Sequence, residues 1–299
     1  MYTDKDYSLY DGIPKEFYKL KNKIFDDWEI PPWEILINSN QLLGKGKFGK
    51  VYLAEWRKTL VAVKVINNEV NENNKKKYIQ EFDTMSKTHH PNVVQLLGYV
   101  AEPFVIVMEY LSNGNLNEYI SKNKISIEKK IDISINILRG LAYLHNRKPK
   151  ILIHRDIKTK NILISPSGIP KISDFGLSKF VSDSNLKESN SLENMSKLQN
   201  IDSDLSYGIG TIRYMSPEML NLKDYNCKID IWSVGIILAE LFEKKIYNDK
   251  FKWKKTPKNI QDIIIKYMLR ENESDRLNAL ELISLFESIS VKKSLFNWT

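Results

Sequence analysis

The sequence predicts an α+β fold of two lobes, a small sheet-rich one followed by a larger helical one. Between residues 41 and 111 the apolar runs are short and β-branched, as in "LVAVKVI" and "FVIVMEYL", and one helical stretch, "NENNKKKYIQEFDTMSKT", interrupts them. From residue 112 to residue 290 long helical patterns dominate. In "IEKKIDISINILRGLAYLHN" the apolar residues Ile127, Ile131, Ile135 and Leu138 recur on one face. The longest apolar run, "IWSVGIILAELF" (Ile231–Phe242), is twelve residues long. That is too short to span a bilayer and reads as a buried core helix.

The flanks are read as separate segments. Residues 1–40 form a leader that is polar yet rich in aromatics (Tyr2, Tyr7, Tyr10, Phe17, Tyr18, Phe25, Trp28, Trp33). Such a composition is expected to pack on the body, and Pro31 and Pro32 mark a boundary before the first strand. Residues 291–299 are a short tail. The stretch Ser182–Ser206 is rich in Ser, Asn and Asp and reads as unstructured.

Composition narrows the function classes. A hydrophobic content of 42% and a charged content of 27% over 299 residues describe an ordinary globular chain with a sizeable core. The start, "MYTDKDYSLYDG", has neither the basic residues nor the apolar block of a secretory signal. The single cysteine, Cys227, excludes an internal disulfide framework and a cysteine-rich metal site, and fits a reducing, intracellular and cytoplasmic setting. A formal charge of +8 favours anionic partners without separating nucleotide, membrane, nucleic acid or acidic protein.

Three glycines then stand out. Gly44, Gly46 and Gly49 lie in "LLGKGKFGKVYLAEW" with strand-like residues on both sides. A turn without side chains lets backbone amides approach a bulky anion. Read alone, the pattern fits a plain glycine-rich hairpin equally well. Downstream, strand alternation in "LVAVKVI" puts Ala62, Lys64 and Ile66 on one face and Val61, Val63 and Val65 on the other. A lysine among apolar neighbours either escapes to solvent or meets an anion. Glu81 shares a helical face with Tyr78 and Met85 and is the available carboxylate.

A second cluster, "IHRDIKTKNILI" and "ISDFGLSK", places Asp156 and Asp174 after short apolar runs, with Asn161 between them. Asn161 and Asp174 supply oxygen ligands of the kind that suit Mg²⁺ bound to nucleotide phosphates, and Asp156 remains to accept a proton. Together these motifs resemble the protein-kinase family. The resemblance covers about residues 41–290, in the family's order: Gly44, Gly46, Gly49 and Val51; Lys64 in "VAVK"; Glu81; His154, Arg155, Asp156, Lys158 and Asn161; Asp174, Phe175 and Gly176; Glu218 in "YMSPE"; Asp230 and Trp232; and Arg276.

The resemblance implies the bilobal kinase fold and transfer of the γ-phosphoryl group of ATP to protein substrates, with no role for nucleic acid. In that family the glycine loop, here running from Leu43 through Lys45, Lys47 and Phe48 to Val51, covers the phosphates, with Phe48 at its tip. Lys64, held by Glu81, grips the α- and β-phosphates, and Asn161 and Asp174 hold Mg²⁺. Asp156 orients the attacking hydroxyl, and Lys158 neutralises the transferring group. Adenine lies between Leu43, Val51 and Ala62 on one side and Leu163 on the other. Glu109 and Leu111 offer it backbone hydrogen bonds, and Met108 guards the back of the pocket. By the same resemblance His154, His145, His89 and His90 are structural, Glu218 and Arg276 form a buried ion pair, and Asp230 accepts backbone hydrogen bonds near the catalytic loop.

The lysine of "DIKTKN", Lys158, matches serine/threonine kinases, and "WEI", "EYLSNGNL", "HRDIKTKN" and "DFGLSK" are most similar to their tyrosine-kinase-like branch. Dual-specificity or tyrosine activity is the alternative. Thr211 is similar to the threonine that braces Asp156 and Lys158. Arg155 is expected to meet a phosphate placed within Ser178–Thr211, at Ser206 or Tyr207. Two departures stand against the family pattern. "SPE" replaces the commoner Ala-Pro-Glu. The interval Ile246–Asn259 is too short for the usual substrate-docking helix. The lysines from Lys244 to Lys258 around that interval read as a solvated face or as a dock for an acidic partner.

Overall fold

Alternating Val and Ile residues build the first part of the chain into a sheet. The computed structural model describes residues 27–46, 49–66, 72–182, 212–244 and 253–296. They fall into two compact units, Met1–His89 with Val94–Ser112 and His90–Val93 with Asn113–Thr299.

The first unit contains β1 (Ile35–Gly46), β2 (Gly49–Trp56), β3 (Thr59–Ile66), α1 (Glu72–Ser86), β4 (Leu96–Val100) and β5 (Val105–Glu109). The strands form one antiparallel sheet in the order β1-β2-β3-β5-β4. Val61 and Val63 are fully buried and pack with Ile35, Ala54, Val105 and Val107, while Val65 lies half-buried beside them. The other face of β3 carries Ala62 and Lys64. Leu53 and Met108 stand in register with Ala62, and Val51 and Ile106 with Lys64.

β1 begins inside the segment read as a leader. Ile35 and Ile37 face the core, but Asn38, Ser39 and Asn40 interrupt the apolar pattern, and the pairing with β2 shifts register between Ile37 and Leu42. The residues before it also pack on the unit. The Ile30 amide donates to the Tyr99 carbonyl at 2.7 Å and the Tyr99 amide to the Trp28 carbonyl at 2.9 Å. This short parallel pairing covers the outer edge of β4 and inserts Ile30 into the core. Gly98 makes the approach possible, because a Cβ there would sit 2.6 Å from the Trp28 carbonyl oxygen. Gly98→Ala is therefore expected to lower stability by about 1–3 kcal/mol in urea denaturation.

The second unit is mainly helical: α2 (Leu116–Lys122), α3 (Ile127–His145), α4 (Pro217–Leu220), α5 (Lys228–Glu243), α6 (Lys258–Ile263) and α7 (Ala279–Phe296). Two small hairpin-like pairs, β6 (Lys150–Ile153) with β9 (Lys179–Ser182) and β7 (Ile162–Ile164) with β8 (Pro170–Ile172), carry its loops. Asn115 and Ser126 cap α2 and α3 by accepting from the Glu118 and Lys129 amides. Ile131, Ile135 and Leu138 are buried on α3, which packs against α5 and α7. Nearly every side chain of α5 is buried, as its unbroken apolar run requires. Among the described residues no helix is long and apolar enough to cross a membrane.

Arg276 is fully buried, and its two terminal nitrogens donate to Glu218 at 2.6 and 2.8 Å while the guanidinium lies over the Trp232 ring. The neighbouring Ser216 is also fully buried, but its hydroxyl does not cap α4 and meets no partner among the described residues. Ser216→Ala removes this hydroxyl, so thermal unfolding is expected to show a gain of about 1 kcal/mol.

Candidate active site

The first unit brings its two charged residues together. Lys64 on β3 donates to both carboxylate oxygens of Glu81, at 2.6 and 2.8 Å, and the pair is nearly buried. Glu81 can reach it because Glu81, Thr84 and Met85 form the buried face of α1. The glycine loop is a hairpin in which Gly44, Lys45 and Gly46 pair with Val51, Lys50 and Gly49. Lys47 and Phe48 lie outside the described residues. A Cβ at Gly44 would meet no atom of the described residues within 4 Å, so their packing does not demand a glycine there. Leu43 is exposed, Val51 and Met108 are half-buried, and Ala62 and Leu111 are buried. The Glu109 amide is committed to the Gln95 carbonyl at 3.1 Å, so any backbone contact of Glu109 with a base falls to its carbonyl.

In the second unit, β6 delivers the chain to a loop and then to a 3₁₀ turn at Thr159–Asn161. The Lys158 ammonium donates to both Asp156 carboxylate oxygens at 3.0 and 2.7 Å. Asn161 Nδ2 donates to the Asp156 carbonyl at 2.8 Å and to its Oδ2 at 2.9 Å. That double engagement turns the Oδ1 atom of Asn161 away from Asp156. Burial pushes the Asp156 carboxyl above the ordinary carboxylate range; Lys158 opposes this and Asp174 adds to it. Leu163, on β7, is half-buried.

Asp174 follows β8 and is tied to the same loop. The Ser173 amide and hydroxyl both donate to the Asn161 carbonyl at 2.9 Å. His154 Nε2 donates to the Ser173 carbonyl at 3.0 Å, and its Nδ1 accepts from the Asp156 amide at 3.3 Å, so both ring nitrogens are used structurally. Asp174 and Arg155 both adopt the left-handed region, φ 65° and 67°. Such conformations persist where surrounding bonds over-determine them.

Here those bonds converge on Asp230. Its Oδ2 accepts from the His154 amide and from His145 Nε2, and its Oδ1 from the Arg155 amide, all at 2.9 Å. Burial alone would raise the Asp230 carboxyl, but the hydrogen bond and charge of His145, with His154, outweigh it and hold it low. His145 thus does more than end α3. Arg155 Nε donates to the Leu177 carbonyl at 2.6 Å and Nη1 to the Tyr225 hydroxyl at 3.1 Å. Ser206, Tyr207 and Thr211 lie outside the described residues, as do Lys245, Lys250 and Lys252. Of the remaining lysines in that stretch, Lys254 and Lys255 are exposed, and their backbone amides donate to the Glu243 carboxylate. Lys258 pairs with Asp262.

Sequence reasoning missed one group of residues. Thr159, Tyr214 and Glu240 are joined by hydroxyl hydrogen bonds beside the catalytic loop. Their only sequence signal is that Thr159 and Tyr214 sit inside motifs noticed for other residues.

The first unit thus holds an ion-paired lysine on the same sheet as a glycine hairpin, and the second holds an acid clasped by lysine and asparagine. The sequence profile of the family described as "Protein kinase domain" matches residues 37–287, and the chain belongs to that family. Serine/threonine-protein kinase VIK of Arabidopsis thaliana is 36% identical over 228 residues, 73% of this chain and 48% of that protein. Serine/threonine-protein kinase CTR1 of the same plant is 34% identical over 223 residues, 72% of this chain and 25% of that protein. Probable serine/threonine-protein kinase drkD of Dictyostelium discoideum is 34% identical over 225 residues, 74% of this chain and 16% of that protein. The chain thus spans about half or less of the length of these relatives.

Asp230 has a pH signature. A carboxyl depressed in the folded state contributes stability above its unfolded pKa, and that contribution is lost as pH falls through the folded value. Asp230→Asn places an NH₂ group against donors and is expected to cost about 1–3 kcal/mol near neutral pH. In urea titrations the gap between wild type and variant should close on acidification.

Proposed function

We propose that this domain transfers the γ-phosphoryl group of ATP to serine and threonine hydroxyls of protein substrates. The observation that carries the reading is the Asp156 carboxylate, nearly buried and held by Lys158 and Asn161 within 3.0 Å. No residue that the chemistry needs is missing, which argues against a binding module that merely keeps the fold. Serine/threonine preference rests on Lys158 and on the names of the relatives. A reducing, cytoplasmic setting is consistent with the single Cys227.

Each residue then has a physical task. Lys64, oriented by Glu81, grips the α- and β-phosphates, and the open space at Gly44 lets backbone amides approach them. In the first unit Leu43, Val51, Ala62 and Met108 offer adenine an apolar surface, with the Glu109 carbonyl and the Leu111 backbone as its polar partners. Lys45, Gly46, Lys47, Phe48 and Gly49 complete the loop over the phosphates. Asp156 aligns the attacking hydroxyl and takes its proton, a task that its raised pKa suits. Lys158 offsets charge on the group in transfer.

The residues also fit Mg²⁺. Asn161 Oδ1 is directed away from Asp156, and the Asp174 side chain is exposed. Two oxygen ligands from the protein would leave the rest of the Mg²⁺ coordination to phosphate oxygens and waters. A magnesium ion held by Asn161 and Asp174 would neutralise phosphate charge.

Incubation with Mg²⁺, radiolabelled ATP and a generic peptide library tests the proposal. Labelled phosphoserine and phosphothreonine are expected, with Asp156→Asn slower by about 10²–10⁴-fold. Labelled phosphotyrosine alone would refute the serine/threonine assignment. Undiminished turnover by Asp156→Asn would refute the role of Asp156.

A further inference from the structure

We infer that Thr159 is a positioning residue for phosphoryl transfer, acting through a hydroxyl relay from Thr159 to Tyr214 to Glu240; the inference rests on the kinase reading above. Tyr214 has one hydroxyl proton, and it goes to Glu240 Oε2 at 2.6 Å. The 2.9 Å contact with Thr159 is therefore made by the Thr159 hydroxyl donating to the Tyr214 oxygen. All donors run one way, toward a carboxylate on α5. Thr159 is 3% exposed and Tyr214 9%, so water does not compete for these bonds.

The far end of the relay is rigid. α5 grips Tyr214 at two places on one face, because Ser233 donates its hydroxyl to the Tyr214 carbonyl at 2.7 Å and Glu240 lies two turns further along. Burial also raises the Tyr214 hydroxyl well above its ordinary pKa, with Glu240 adding to the effect, so the phenol keeps its proton at any working pH.

The near end is where the chemistry needs precision. Thr159 follows Lys158 directly and opens the 3₁₀ turn that ends at Asn161. Both neighbours hold Asp156, so a shift of Thr159 moves two of its partners at once. Beside the bond from Thr159 to Tyr214, Tyr214 and Asp156 line a small cavity together with Arg155, Met215, Ile229 and Ser233, so the loop is not packed solidly on that side. That direct 2.9 Å hydrogen bond ties the loop to the wall of the cavity.

The test compares wild type with Thr159→Val, Thr159→Ser, Tyr214→Phe and the Thr159→Val/Tyr214→Phe double variant. Steady-state kinetics with Mg-ATP and peptide are read beside amide hydrogen exchange over residues 154–161. Thr159→Val and Tyr214→Phe should each lower kcat by about ten- to a hundredfold with KM for ATP unchanged. Serine should restore most of the rate, and the double variant should be no slower than either single one. Exchange in the loop should accelerate in valine and return to the wild-type rate in serine. Unchanged kcat in Thr159→Val, no rescue by serine, or multiplicative losses in the double variant would overturn the inference. If wild type itself transfers no phosphate, the kinase reading fails. Exchange then decides for the relay alone: unaltered protection in Thr159→Val rejects it, and serine-reversible loss supports it.

Discussion

One buried carboxylate holds the chemical loop of this chain in place. Asp230 sits in the first turn of α5 with its side chain 1% exposed, and accepts two loop amides and an imidazole. The helix N-terminus favours a negative charge at that point, and three donors offset its desolvation. The left-handed conformation at Arg155 is tolerable because its amide has this partner. From there the constraint passes along the chain to Asp156, to His154 and through the Ser173 carbonyl to Asp174. Two hydrophobic helices, α3 and α5, thus present the polar ends of His145 and Asp230 to the loop that carries Asp156.

The first unit solves a different problem with the same means. Lys64 would be costly on a half-buried sheet face without an anion, and Glu81 supplies one from the buried face of α1. Breaking either partner of such a pair leaves an uncompensated charge, at a cost of about 3–5 kcal/mol. Loss of activity in a Glu81 variant would therefore include a loss of stability, and the two must be measured separately.

Much of this was legible in the sequence, for definite reasons. Strand alternation put Lys64 opposite the valine core, helical spacing put Glu81 on the inward face, and the loop chemistry lies in contiguous motifs. The relay of Thr159, Tyr214 and Glu240 was not legible. Its partners are 55 and 26 residues apart, and a hydroxyl carries no periodic signature. The pairing of Trp28 and Ile30 with β4 runs through backbone atoms, so side-chain pattern says nothing of it. The start of β1 at Ile35 was hidden by four polar residues in mid-strand, Asn38, Ser39, Asn40 and Gln41. His145 and Asp230 were each read correctly in kind, but only the fold joins them.

The central claim of the proposal is that Asp174 holds the magnesium ion of a bound nucleotide. Calorimetric titration of the domain with a non-hydrolysable ATP analogue, with and without Mg²⁺, tests it most directly. Saturable binding that tightens with Mg²⁺ in wild type, and loses that increment in Asp174→Asn, is the predicted result. Binding indifferent to Mg²⁺ in both proteins, or no heat at saturating analogue, would contradict it.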